Sequence, residues 1–226
     1  MSDPHMYDPE KYMESLISLL KARFGERLIY VGLQGSYERG EATPDSDIDP
    51  MVFIKNLTSA DLGAYRQIIK SLDRPDKSCG FLADSDTVSN WNALEIFSLV
   101  QSTRDYFGCL SAIVPAYTQS DIRAYALMSA NNLLHEITHR FVHAAPEKSA
   151  AKLGGLEKGL FFTLQHVVYL EKGIFPKTRS ALSNTLCEDD RLLYETVTNI
   201  RNGADLPFDA AFGIVFDTLN RLIRRL

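Results

Sequence analysis

The sequence predicts an α/β (α+β) first half with a mixed sheet, followed by an all-α helical bundle. Up to about residue 114, apolar runs of strand length alternate with amphipathic runs of helix length. Pro115 then follows an apolar stretch and marks a boundary. Beyond it, the periodic segments all have helical spacing, which indicates a bundle. We therefore expect two domains, 7–114 and 115–226.

The first half is predicted to alternate helices and strands. Pro9–Phe24 keeps apolar residues at helical spacing, and its proline suits a first helical turn. Arg27–Leu33 is apolar and rich in strand-forming residues, as a buried strand is. Three further strands are expected at 48–54, 78–83 and 93–100, and a second helix at 57–72 with Thr58 or Ser59 as its N-cap.

The second half is predicted to hold four or five helices. Gly173 and Gly203 lie where helix ends are expected, because glycine adopts the left-handed conformation that closes helices. The expected helices are Ser120–His143, Leu156–Gly173, Glu188–Asn202 and Pro207–Leu226.

One stretch of the first half combines a glycine turn with two closely spaced carboxylates. Gly35 lets the backbone pass close to a phosphate, and Ser36 adds a hydroxyl that can bond a phosphate oxygen. Asp47 and Asp49 lie two residues apart, so on a strand they point to the same face. Paired carboxylates suit Mg²⁺, which prefers oxygen ligands and shares its shell with substrate phosphates. The pattern indicates metal-assisted transfer from a nucleotide.

The motif Gly35-Ser36-x-x-Arg39-Gly40, followed by Ser46-Asp47-Ile48-Asp49, resembles the signature of the DNA polymerase β-like nucleotidyltransferase superfamily. Within it, the chain is similar to small bacterial members with a helical C-terminal domain, the antibiotic nucleotidyltransferases and the minimal nucleotidyltransferases. Two positions depart from the common form, Glu38 in place of a small residue and Pro50 in place of an aliphatic one. Pro50 has no N–H, so we expect its strand to be unpaired on one side there.

The resemblance implies a role for each residue of the motif. Asp47 and Asp49 would hold two Mg²⁺ ions against a nucleoside triphosphate, with ATP the expected one. Gly35 and Ser36 would cradle its β- and γ-phosphates. Arg39 would pair with a phosphate or brace the aspartates, and the sequence does not decide between these roles.

A third catalytic and metal-binding carboxylate is also implied, on a later strand beside the pair. Glu95 is our first candidate, because on a strand it would share a face with Phe97 and Leu99 as the one charge among apolar neighbours. Asp84 and Asp86 are its rivals, although their polar surroundings are typical of a turn.

Basic residues of the helical half are implied as further contacts to the triphosphate. Lys158 is our first choice, because its predicted helix also carries polar groups suited to a cleft wall, Gln165, His166 and Tyr169. Lys177 and Arg179, which flank a loop, are the alternatives.

The helical half also contains a formal match to a zinc-protease helix, His135-Glu-Ile-Thr-His139. His143 continues the same face, but residues eight apart lie about 12 Å apart along a helix, too far to bind one ion together without distortion. We interpret this stretch as a polar helix face, and a place in the acceptor pocket is a lesser hypothesis.

Composition limits the class of protein. The 226 residues carry a net charge of −5, which gives no indication of a general nucleic-acid surface. Three widely spaced cysteines argue against a disulfide framework, and no stretch is apolar and long enough to span a bilayer. We expect a cytoplasmic protein without a membrane partner, and a homodimer is compatible with the sequence.

The sequence thus predicts a magnesium-dependent nucleotidyltransferase. It would move a nucleoside monophosphate to a hydroxyl of a small, antibiotic-like acceptor and release pyrophosphate. Two alternatives stay open, a protein-modifying nucleotidyltransferase of the toxin–antitoxin type and a non-catalytic nucleotide-binding module.

Overall fold

The computed structural model describes residues 7–226, and their side chains except those at 146–148, 150 and 151. The chain forms two compact units, one ending at Ala116 and the other spanning Tyr117–Leu226. The first unit contains α1 (Pro9–Phe24), β1 (Leu28–Gln34), α2 (Gly35–Arg39), β2 (Asp49–Ile54), α3 (Ser59–Ser71), β3 (Phe81–Asp84), α4 (Ser85–Val88), α5 (Ala93–Gln101) and β4 (Arg104–Phe107).

The four strands form one sheet in the order β3-β2-β1-β4. β1 runs antiparallel to β2 and to β4, whereas β2 and β3 are parallel. The mixed sheet predicted from the sequence is therefore confirmed. β1, which is central and buried, is the apolar run recognised from the sequence.

The two faces of the sheet bury different sets of side chains. Val52 and Ile54 of β2 pack with α1 and α3 on one face. Met51 and Phe53 pack on the other face, in a cluster that includes Val88 of α4. The alternation predicted for 48–54 is confirmed, and it places Asp49 on the face of Met51 and Phe53.

Pro50 lies at a gap in the pairing between β2 and β3. Ile48 forms an isolated bridge with Ser78, and regular pairing begins only at Met51 and Phe81. Gly80 passes so close that a Cβ there would lie 2.3 Å from the Pro50 carbonyl oxygen. The close approach of a glycine fits the missing N–H of Pro50, which leaves β2 without a donor at that point.

The strand predicted at 93–100 is wrong, because Ala93–Gln101 is helix α5. Asn92 caps it by accepting a hydrogen bond from the Leu94 N–H, 3.1 Å away. Ile96 and Phe97 are fully buried, so the apolar run that resembled a strand is the inner side of a short helix. The fourth strand is instead Arg104–Phe107, and the strand expected at 78–83 begins later, at Phe81.

The helix predicted at 57–72 is confirmed as α3, and Thr58 is its N-cap. Thr58 and Asp61 form a capping box in which each side chain accepts from the other's backbone N–H. Asp61 also receives two hydrogen bonds from the Arg27 guanidinium, at 3.2 and 2.6 Å. These contacts tie the start of β1 to the start of α3.

The second unit is entirely helical over its described residues. Its helices are α6 (Gln119–His143), α7 (Pro146–Gly155), α8 (Glu157–Lys172), α9 (Arg179–Thr185), α10 (Glu188–Arg201) and α11 (Phe208–Arg225). The four long helices predicted from periodicity are confirmed, and α7 and α9 were not predicted. Gly173 is left-handed and closes α8, as expected. A continuous apolar core joins α6, α8, α10 and α11.

Within residues 7–226, none of the helices combines the length and apolarity needed to cross a membrane.

Candidate active site

The candidate site begins where β1 ends. The chain turns from Gln34 directly into α2 at Gly35, whose backbone is left-handed with a φ of +74°. A Cβ at this position would lie 1.9 Å from Oδ2 of Asp49. Glycine is required here, because any side chain would strain the backbone and displace that carboxylate.

The turn after β1 also exposes backbone donors. The N–H groups of Gly35 and Ser36 belong to the first turn of α2, where no carbonyl of the same helix can accept from them. The Ser36 side chain is only partly buried. This arrangement of backbone N–H groups and a hydroxyl suits the oxygens of a phosphate.

The two aspartates lie at the edge of the sheet beside this turn. Asp49 opens β2 and is the register partner of Gln34, the last residue of β1. Asp47 is exposed, and Ile48 between them is fully buried on the opposite face. Residues two apart in extended chain lie about 6.7 Å apart and point the same way. β2 begins only at Asp49, and Asp47 precedes it beyond the isolated bridge at Ile48. That both carboxylates share one face therefore stays a prediction.

The segment that leads to the aspartates is held by a set of hydrogen bonds. The Thr43 N–H donates to Oγ of Ser46, and the Ser46 N–H donates back to the Thr43 carbonyl, both at 2.9 Å. Lys77 donates from Nζ to the Asp45 carbonyl at 2.9 Å, and its own carbonyl accepts from the Ile48 N–H at 2.7 Å. These contacts fix the approach to Asp47.

Arg39 ends α2 and pairs with Glu41. Its Nε lies 3.1 Å from Oε2 of Glu41, and both side chains are mostly buried, at 13% and 19% exposure. Of the two roles that the sequence left open for Arg39, this contact favours bracing the loop before the aspartates.

The carboxylate pair fits a magnesium ion that completes its shell from other sources. Among the residues that the structure describes, no group of three or more His, Cys, Asp or Glu side chains could hold a metal. Asp47 and Asp49 supply two oxygen-bearing groups, one exposed and one partly buried. Mg²⁺ typically takes one or two carboxylates and keeps water and phosphate oxygens as its other ligands.

The structure contradicts the geometry expected for the third carboxylate. Glu95 lies in the first turn of α5, not on a strand, and is exposed, accepting a 2.7 Å hydrogen bond from Trp91 Nε1. Asp84 ends β3 opposite Ile54. The five residue steps from Asp49 to Ile54 place Asp84 about 17 Å along the sheet from Asp49.

Asp84 has a structural role instead. Its carboxylate accepts from the Asp86 N–H at 2.8 Å, capping α4, and from the Leu57 N–H at 2.5 Å. Asp86 is exposed in the first turn of α4.

Asp105 is a carboxylate that the sequence analysis missed, because β4 has no clear alternation. It pairs with Gly32 of β1, on the face that carries Asp49. It accepts a 2.6 Å hydrogen bond from the Tyr30 hydroxyl. Burial and this bond raise the pKa of Tyr30, which keeps the hydroxyl protonated. With β1 between β2 and β4, the backbones of Asp105 and Asp49 lie roughly 10 Å apart across the sheet.

A comparison with protein families matches part of the first unit. Residues 13–83 match the family model described as the nucleotidyltransferase domain. The matched segment contains the Gly35 turn and both aspartates. Over these residues the chain is similar to a nucleotidyltransferase domain.

One solved structure extends the likeness over nearly the whole chain. The crystal structure of spectinomycin adenyltransferase AAD(9) from Enterococcus faecialis with ATP and spectinomycin has a TM-score of 0.50 and 16% identity. The match covers 96% of this chain and 99% of that one. At this identity the likeness shows a shared fold, a nucleotidyltransferase core with a helical C-terminal region.

A toxin–antitoxin structure with AMP-PNP matches less well. Its TM-score is 0.33 and its identity 21%, and the match covers 57% of this chain and 93% of that one. A TM-score this low is no evidence of a shared fold. No curated protein sequence matches the chain.

Outside the nucleotidyltransferase domain, the histidines of α6 form an exposed row. The ring centres of His135 and His139 lie 6.1 Å apart, and those of His139 and His143 lie 4.8 Å apart. All three side chains are exposed. The arrangement is the polar helix face expected from the sequence.

The polar groups expected beside Lys158 lie in different environments. Lys158 is exposed in the first turn of α8. Gln165 is buried and donates from Nε2 to the Pro176 carbonyl at 2.8 Å. His166 is fully buried and stacks on Tyr125, with ring centres 4.3 Å apart. Burial lowers the pKa of His166 to about 4, although its contact with the Phe162 carbonyl opposes the shift.

Arg179, an alternative phosphate contact, donates to the buried carboxylate of Glu157. Its Nε lies 2.7 Å from Glu157 Oε1, which also accepts from the Tyr194 hydroxyl at 2.9 Å. Arg201 pairs with the other oxygen of Glu157. This cluster joins α8, α9 and α10 inside the helical unit.

Proposed function

We propose that the protein transfers a nucleoside monophosphate from a nucleoside triphosphate, with ATP the expected one, to a hydroxyl of a small acceptor, and releases pyrophosphate. The observation that carries the proposal is the packing of the Asp49 carboxylate over Gly35. This packing joins the proposed phosphate-binding turn to a proposed metal-binding carboxylate at one edge of the sheet. A module that only bound a nucleotide would have little need for both.

Each residue of this edge has a distinct proposed role. The N–H groups of Gly35 and Ser36, with the Ser36 hydroxyl, bind oxygens of the β- and γ-phosphates. Asp47 and Asp49 hold Mg²⁺, which would neutralise the triphosphate and the departing pyrophosphate and lower the pKa of the acceptor hydroxyl. Arg39, through Glu41, keeps the loop before Asp47 in place. The chain would therefore act mainly by positioning and charge neutralisation.

Lys158 is proposed as a further phosphate contact from the helical unit. Its side chain is exposed, and no ion pair holds it among the residues that the structure describes. A flexible ammonium group that is free to move suits the γ-phosphate of a nucleotide, which it can neutralise as a point charge.

The acceptor class is proposed from the fold. The spectinomycin adenyltransferase whose structure matches this chain was crystallised with ATP and spectinomycin. This supports a small-molecule acceptor over a protein side chain.

The proposal is tested by transfer of label from ATP that carries radioactive phosphorus at the α-position. The purified chain is incubated with Mg²⁺ and a panel of aminocyclitol, aminoglycoside and lincosamide acceptors. We expect labelled acceptor and pyrophosphate in equal amounts. Asp49→Ala should lower the rate by about 10³-fold or more, or about 4 kcal/mol.

Asp45→Ala is the matched control, since Asp45 lies in the same loop but contributes only its backbone carbonyl to Lys77. It should keep most of the rate. Label that appears on a protein in place of a small acceptor would establish the protein-modifying alternative. Nucleotide binding without any transfer would establish the binding module.

A further inference from the structure

The helical unit carries a cluster of partly exposed aromatic rings at the C-terminal end of α6 and the N-terminal end of α11. We call Phe141, Phe208 and Phe212 the aromatic patch. Phe141 stacks on Phe212 with ring centres 4.1 Å apart, and Phe208 lies 5.9 Å from Phe141. Phe141 is 45% exposed, and Leu206 just before α11 is 42% exposed. Large apolar groups gathered on a surface mark an interaction site more often than scattered ones do.

A shallow groove runs along this patch. It consists of two adjoining depressions that share Leu153 and Phe208. The larger has a volume of about 270 Å³, and its lining includes Asp205 and Leu206. The lining of the smaller includes Lys152 and Arg140. We call the part lined by Asp205 the acidic end and the part lined by Lys152 and Arg140 the basic end, with the shared residues Leu153 and Phe208 as the apolar middle.

The charges at the two ends are available to a partner. Lys152 and Asp205 are both exposed, and neither forms an ion pair with any residue in the described part of the chain. Arg140, in contrast, already pairs with Glu136 of its own helix at 3.1 Å.

We propose that this groove is the interface of a homodimer, occupied by the same groove of a second copy of the chain. A two-fold axis through the aromatic patch would place the basic end of one copy against the acidic end of the other. Lys152 would then face Asp205 of the second copy, twice in the dimer, and the aromatic rings would pack at the centre.

The opposite charges at the two ends favour a second copy over an unrelated partner. An acidic peptide would complement only the basic end, and a basic peptide only the acidic end. A second copy of this surface complements both ends at once. Charges at the rim would set register and partner choice, while the central rings would supply most of the affinity.

The test measures self-association of the full chain by sedimentation velocity, from about 1 to about 100 µM. Wild type should form dimers. Lys152→Asp and Asp205→Lys should each weaken self-association by about tenfold or more, because each puts like charges opposite one another twice. An equimolar mixture of the two variants should dimerise again, since each contact then joins opposite charges.

Phe141→Ser removes the most exposed ring of the patch and should also weaken the dimer. Leu192→Ser is its control, because Leu192 is 46% exposed on α10 and outside the groove. It should leave the dimer unchanged. Thermal unfolding of every variant verifies that it is folded.

Two outcomes would overturn the proposal. The first is a wild-type chain that stays monomeric over the whole range. The second is a dimer that persists in both charge variants or that their mixture fails to restore, because the interface would then lie on another face.

Discussion

The Asp49 carboxylate occupies the space that a Cβ of Gly35 would fill, with Oδ2 only 1.9 Å from that position. The sheet brings the two residues together, because Gln34 and Asp49 are register partners in the antiparallel pair of β1 and β2. Gly35 and Asp49 are far apart in sequence, but the antiparallel pairing of β1 and β2 brings them to the same edge of the sheet. The glycine and the aspartate of the motif are thus one packed unit.

Gly35→Ala tests this packing. The added methyl group must displace Asp49, and alanine is strained at a φ of +74°. We expect nucleotidyl transfer to fall by about 10²-fold, as a displacement of about 1 Å at a reacting group can cause. The free energy of unfolding should fall by about 1–2 kcal/mol from the backbone strain. Steady-state kinetics and thermal unfolding measure the two effects.

Gly25→Ala separates strain from displacement. Gly25 also has a positive φ, +55°, but a Cβ there would meet nothing within 4 Å. The free energy of unfolding of Gly25→Ala should fall by a similar amount, while its rate of nucleotidyl transfer stays close to wild type. Equal losses of transfer in both variants would show that the contact with Asp49 has no special importance.

Glu95→Gln should lower transfer by less than about threefold, since Glu95 lies on a helix and bonds to Trp91. The fluorescence emission of Trp91, in contrast, should change, because a neutral amide replaces the carboxylate that accepts the hydrogen bond from its indole N–H. Kinetics and fluorescence on the same preparation measure both. A loss of a hundredfold in turnover would restore Glu95 as a catalytic candidate.

The segment that contains Glu95 shows why a strand and a short helix are hard to distinguish from sequence. The run Ala93–Gln101 is apolar and short, and runs of this length suit a strand or a buried helix equally well. The cap at Asn92 was the signal for a helix, but asparagine is equally common before strands and in turns. The strand predicted at 48–54 is correct, although both of its faces are buried, one against α1 and α3 and the other beside α4.

β4 could not be predicted from local pattern. Arg104 and Asp105 are both exposed, and the strand is defined by its pairing with β1, a contact distant in sequence. The short helices α7 and α9 were not predicted for a related reason. Each is stabilised by packing within the bundle, and neither is long enough to show a clear helical periodicity.

Glu157→Gln tests the charged cluster of the helical unit. Burial alone would raise the pKa of Glu157, but hydrogen bonds from Arg179 and Tyr194 and the charge of Arg201 outweigh it and lower the pKa. The two arginines are 35% and 51% exposed, so water can solvate them after the change. We therefore expect a loss of about 2 kcal/mol in the free energy of unfolding, below that of a fully buried pair.

Asp189→Asn is the control for charge removal alone. Asp189 pairs with Arg221 on the surface, where both side chains are about half exposed. Its loss should be under about 0.5 kcal/mol. Urea unfolding of both variants measures the difference, and equal losses would argue against a structural role for the buried cluster.

Protonation of His166 should make the stability of the chain depend on pH. Its folded-state pKa, about 4, is below the unfolded value of 6.5, so the unfolded chain binds the proton first. Stability is therefore complete above pH 6.5 and falls as the pH drops towards 4. Between pH 7 and pH 5 we expect a loss of about 2 kcal/mol from this group.

His166→Gln should flatten that part of the stability curve. His139→Gln is the control, because His139 is exposed on α6 and should leave the curve as it is. Urea unfolding at pH 5, 6 and 7 makes the comparison. An unchanged slope in His166→Gln would show that this group is not the cause.

The central claim is that Asp47 and Asp49 bind Mg²⁺ against the phosphates of a nucleotide, and calorimetry of a nonhydrolysable ATP analogue tests it most directly. For wild type and for Asp45→Asn, Mg²⁺ should tighten binding by about tenfold or more relative to EDTA. Asp49→Asn should bind the analogue equally with and without the metal. A full magnesium effect in Asp49→Asn would contradict the account.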